Sequence, residues 1–77
     1  MKYRLLDCVV LKSDLPEFGL RAGDLGSVVE IYEPDGLEVE FVKASGETLV
    51  VITISENKVR SVDASDIVSV RPLSHAA

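Results

Sequence analysis

The sequence predicts an all-β domain of five to six mostly antiparallel strands, and three observations carry that expectation. β-Branched residues dominate the apolar runs, as they do in pleated, half-buried segments. Turn residues interrupt those runs at short intervals. The three-and-four spacing of an amphipathic helix is nowhere sustained.

The elements follow in order. YRLLDCVVLK, residues 3–12, reads as strand one, with Leu6, Cys8 and Val10 on one face and Leu5, Asp7 and Val9 on the other. The long connection SDLPEFGLRAGD cannot be a regular helix, because Pro16 and Gly19 interrupt it. Leu15, Phe18 and Leu20 supply apolar side chains to tuck beneath it, so an ordered loop with one helical turn is expected. LGSVVEIY, 25–32, is strand two. In EPDG, Pro34 suits the first central position of a type I turn and Gly36 the left-handed conformation after it. LEVEFVK, 37–43, alternates, with Leu37, Val39 and Phe41 on one side and Glu38, Glu40 and Val42 on the other. ASGE, containing Gly46, makes a second tight turn. TLVVITIS, 48–55, is strand four and puts apolar groups on both faces, so its second face needs a cover. KVRSV (58–62), a short 3₁₀ turn at DASD (63–66) and a closing strand at IVSVRP (67–72) complete the chain.

One strand, a long ordered loop, a three-stranded meander, a 3₁₀ turn and a last strand is the order of a small SH3-like barrel. An OB-fold usually carries a helix between its third and fourth strands, and nothing here could supply one. A single domain over 1–77 is expected, with its core at about 3–73 and a frayed tail at 74–77.

GLRAGDLG, residues 19–26, holds three of the five glycines. A phosphate cradle would lead into a helix and carry a lysine with a serine or threonine at fixed offsets. This loop leads into a strand. Its glycines therefore serve geometry: Gly19 and Gly23 in turns, Gly23 with positive φ, and Gly26 where a Cβ would collide with the neighbouring wall.

Net charge is −5, and all of it lies in one segment: residues 30–47 carry six acids against Lys43 alone, while the remaining acids and bases balance. Nucleic acid would be repelled there. No apolar run approaches the ~18 residues of a membrane span, and Asp7 breaks the basic-then-apolar N-terminus before any signal-peptide cleavage site. Cys8 is the only cysteine, so no internal disulfide forms; beside Val9 and Val10 it is expected as a small buried hydrophobe in a reducing cytoplasm.

Catalysis has little to draw on. The only histidine, His75, is near the end of the chain, and Asp14, Glu17 and Asp24 sit on turns where backbone capping accounts for them. No loop carries regular ligand spacing for a hard cation, Asp24 and Asp35 included. No catalytic residue, cofactor or metal is assigned. A proline-rich peptide groove needs clustered aromatics, and only Tyr3, Phe18, Tyr32 and Phe41 are available.

A surface for another protein, or for a second copy, remains. With 47% hydrophobic residues in so small a domain, apolar side chains must stay outside. The candidates are Val28, Glu30, Tyr32, Glu38, Glu40, Val42, Leu49 and Val51, with Gly19, Gly23, Gly26, Gly36 and Gly46 as structural turns.

Two resemblances bear on this. AGDLGSVVEIY is similar to the glycine-containing motif of the KOW barrels of ribosomal and transcription proteins, which implies nucleic-acid binding; the available cations, Arg4, Lys12, Arg21, Lys58, Arg60 and Arg71, are scattered in sequence, and replacing Arg60 and Arg71 would weaken such binding. Leu6-Asp7, Asp14-Leu15-Pro16, Gly19-Leu20, Gly23-Asp24, Gly26, Glu38-Val39-Glu40-Phe41, Asp66 and Arg71-Pro72 are further points of likeness. With them, over about residues 5–73, the chain resembles the bacterial family called domain of unknown function 4926. That resemblance implies a small single-domain protein and assigns no activity. The expectation is a non-enzymatic interaction module, the small acidic subunit or inhibitor- or antitoxin-like member of a two-protein complex; the alternative is a KOW-like nucleic-acid binder.

Overall fold

The computed structural model describes residues 2–73. The expected frayed tail, 74–77 with His75, lies outside the described residues. Five antiparallel strands form one sheet: β1 (Cys8–Leu11), β2 (Leu25–Tyr32), β3 (Gly36–Val42), β4 (Thr48–Ser55) and β5 (Val59–Ser61), in the order β4-β3-β2-β1-β5. Two 3₁₀ turns, Pro16–Phe18 and Glu56–Lys58, are the helical elements among the described residues. The all-β expectation holds, and the strand order is compatible with an SH3-like barrel.

One cluster gathers core residues from every strand: Val9 and Leu11 from β1, Val28 from β2, Leu37, Val39 and Phe41 from β3, Ile52 from β4 and Val59 from β5. No second layer lies among the described elements, so the sheet buries its own inner face by curling. Tyr3 and Leu20 plug the cluster from the N-terminal segment and the long loop. The ring of Tyr3 is buried at the cost of a hydroxyl without a hydrogen-bond partner among the described residues.

The long loop is ordered as expected. Its 3₁₀ turn is closed by a Leu15–Leu20 bridge and capped by Gly19 at φ 71°. Leu15 and Leu20 pack on the core, whereas Phe18 stays exposed.

Several expectations are corrected. Strand one is short, because Leu5 and Leu6 form a turn in which the Asp7 amide bonds the Arg4 carbonyl. Consequently Val9 and Leu11 face the core and Cys8 is exposed, not a buried hydrophobe. The β2–β3 loop contains a cis Glu33–Pro34 bond, and Gly36 has no positive φ; it opens β3 opposite Tyr32 instead of taking a left-handed turn position. The 3₁₀ turn before the last strand is Glu56–Lys58, with the Ser55 hydroxyl accepting from the Asn57 amide; residues 63–66 do turn, the Asp66 amide donating to the Asp63 carbonyl, but form no 3₁₀ element. Residues 67–72 form no strand. β5 already pairs with β1, so the edge that a closing strand would take is filled by Val59–Ser61.

Gly26 meets its expectation. A Cβ there would stand 2.6 Å from Val39 Cγ1 and 2.9 Å from Phe41 Cε1, so the β2–β3 wall tolerates only hydrogen at that position. Gly23 and Gly46 both adopt φ 94° in open turns.

Candidate interaction surface

The outer face of the sheet is built by strand alternation and one irregularity. β2 and β3 pair Val28 with Val39, then Glu30 with Glu38, leaving Val29 as a bulge. The extra residue reverses the parity of β2. Val28 is thereby turned into the core, fully buried, and leaves the set of surface candidates, while Glu30 and Tyr32 face outward.

Glu30 and Glu38 stand directly opposite one another on neighbouring strands, and Glu40 is the next outward residue of β3. The Tyr32 hydroxyl donates to Glu38 Oε1 at 2.8 Å, and the Thr48 hydroxyl donates to Glu40 Oε2. That bond to a carboxylate, aided by desolvation and by the charges of Glu38 and Glu30, raises the Tyr32 phenol above its ordinary pKa. Glu30 accepts only from the Ile31 amide. None of the three glutamates forms an ion pair with a described residue. Val51, opposite Glu40 on β4, is exposed.

The other end of the same face is apolar. Cys8 and Val10 of β1, Leu25 of β2 and Val42 of β3 line an open trough of about 1180 Å³, whose far wall is the C-terminal arm, residues 62–73. Leu49 also lines it, but a shift in the β3–β4 register leaves this residue half-buried against the core, so it is only partly available as a surface candidate.

The arm is held at two points. The Arg60 guanidinium donates from Nη1 and Nη2 to both Asp66 oxygens, at 2.9 and 3.1 Å. The Arg71 guanidinium donates to both Asp24 oxygens and also to the Gly19 carbonyl at 3.1 Å. The bond from Arg71 holds the Asp24 carboxyl below the usual carboxylate range, burial opposing it, and Arg60 does the same for Asp66. Neither pair is legible in the sequence, where Asp24 is expected only as a turn cap. It is one, accepting from the Arg21 amide at 2.8 Å, and it is the arm's anchor as well.

The remaining turn carboxylates are engaged by backbone amides: Asp7 by Arg4, Asp14 by Ala22, Asp63 by Ser65. Among the described residues no group of three or more His, Cys, Asp or Glu side chains is placed to hold a metal ion. No helix among them is long and apolar enough to cross a membrane.

The model of one family, a domain of unknown function (DUF4926), matches residues 5–61, which is most of the chain. The chain belongs to that family. The match ends with β5, so the arm, including the Asp66 and Arg71-Pro72 that the sequence resemblance reached, lies beyond the matched residues. Gly26, Asp24 and the outward glutamates lie within them. No curated protein and no solved structure matches the chain.

Proposed function

We propose that this protein is a non-enzymatic interaction module that presents Glu30, Glu38 and Glu40, flanked by Tyr32, Val42 and Val51, to a partner protein with a basic surface. The observation that carries the reading is the Glu30–Glu38 pair. Like charges directly opposite on neighbouring strands destabilise a sheet, and no described cation offsets them. A partner's lysine or arginine would do so. The exposed Tyr32 supplies an aromatic anchor beside them of the kind that dominates interface energetics.

On this reading the chain is the small acidic member of a two-protein complex, of the inhibitor or antitoxin-like kind. A free, exposed Cys8 suits a reducing cytoplasm. The turn carboxylates of Asp7, Asp14 and Asp63 support a non-enzymatic role, since each has an oxygen that accepts from a backbone amide. Nucleic-acid binding through Arg60 and Arg71 is weakened by the two bidentate pairs, which neutralise both cations.

Affinity capture with the full chain from its native cells, with and without nuclease, tests the reading. One stoichiometric protein retained after nuclease supports it; bound material that disappears with nuclease overturns it in favour of nucleic acid.

A further inference from the structure

The arm is fixed in place without hydrogen bonds along its middle. Its two ends are clamped by Arg60–Asp66 and Arg71–Asp24, yet no residue from 67 to 70 makes a hydrogen bond with another described residue. Ile67, Val68 and Val70 are 90, 85 and 89% exposed. Such a segment is an edge strand in composition and in its free amides and carbonyls, and it carries no charge to deter pairing. The three side chains alone hold roughly 300 Å² of apolar surface, about the size of the largest patch on a typical monomer.

We propose that a second copy of this chain covers the arm and its trough, with residues 67–70 of the two copies pairing antiparallel about a twofold axis. Three features of the molecule select a second copy as occupant. The first is symmetry. An antiparallel pair of identical segments satisfies a twofold operator, and each arm supplies the amides and carbonyls that the other lacks. The second is charge. A chain of net charge −5 repels its own copy over the acidic half of the outer face, whereas Cys8, Val10, Leu25, Phe41, Val42 and Leu49 in the trough are uncharged. The ionised residues lining it are mixed, three cations (Lys43, Arg60, Arg71) with two anions (Asp24, Asp66). The third is extent. The exposed Ile67, Val68 and Val70 and the apolar trough beside them form one continuous surface for a partner to cover. The inference shares Val42 with the acidic-face reading and otherwise uses the opposite end of the sheet.

Sedimentation velocity on the full chain from about 5 to 200 μM tests it, with Val68→Lys, Ile67→Lys and Glu38→Lys measured alongside and each variant checked by circular dichroism. The expected result is a wild-type species of twice 8.3 kDa, dimerisation weakened at least tenfold by either arm variant, and a dimer kept by Glu38→Lys. Amide exchange at Ser69 and Val70 should be slow in the wild type and fast in Val68→Lys. A wild type that is monomeric over the whole range overturns the proposal, even if another protein binds the trough. So does a dimer indifferent to both arm variants, or one lost in Glu38→Lys but kept in Val68→Lys.

Discussion

Arg71 grips Asp24 with a bidentate pair, Nε to Oδ1 at 2.9 Å and Nη2 to Oδ2 at 2.6 Å, joining residues 47 positions apart. The contact fastens the C-terminal arm to the turn that precedes β2. Both side chains are mostly buried, at 27 and 18% exposure, so solvent screens this pair less than it screens the exposed Lys43–Glu47 contact.

Arg71→Met should lower thermal stability at neutral pH and flatten its acid dependence. The Asp24 carboxyl is held below its ordinary pKa in the folded chain. Its contribution is therefore present above the unfolded value of about 3.9 and lost as pH falls through the lower folded value. Melting curves of wild type and variant should thus differ at pH 7 and converge only as pH falls below the unfolded value and through the lowered folded one. Asp66 and Asp63, also lowered, leave some acid slope in both. A constant difference across that range would count against the pair.

Gly26→Val should cost about 3 kcal/mol, because Val39 and the Glu40 carbonyl leave no room for a branched side chain. Gly46→Ala should cost about 1 kcal/mol, since its turn is open and only the φ of 94° opposes a Cβ. Urea denaturation of the two variants checks the ranking. Equal midpoints would remove the close-approach account.

Leu6 adopts φ 72°, a left-handed conformation that costs a leucine about 1 kcal/mol, and its side chain is exposed. Leu6→Gly removes the strain without emptying the core. Its denaturation midpoint should rise, with a gain of about 1 kcal/mol; a fall would show that the leucine packs in solution.

Glu30→Thr should raise stability by about 0.5 kcal/mol by relieving the charge opposite Glu38, while weakening capture of the partner. Melting temperature and recovered partner, measured on one preparation, should move in opposite directions.

Much of this was legible in the chain. Alternation in 37–43 placed Leu37, Val39 and Phe41 in the core, and the glycine spacing of 19–26 identified a corner whose Gly26 abuts β3. Val28 was misplaced because a bulge at Val29 leaves no mark in an apolar run yet reverses which residues face inward. Residues 67–72 read as a strand because propensity describes what a segment favours and not whether a partner is free; Val59–Ser61 had filled the place. The arginine clamps joined residues 6 and 47 positions apart, the second of them beyond the reach of any local pattern.

The central claim is that the outward glutamates are a recognition face. Its most direct test is quantitative affinity capture on nuclease-treated lysate with two baits, wild type and the Glu38→Lys/Glu40→Lys double variant, both verified as folded. One stoichiometric protein is expected on the wild-type bait, lost from the variant and eluted by salt. The same protein held equally by both baits would contradict it.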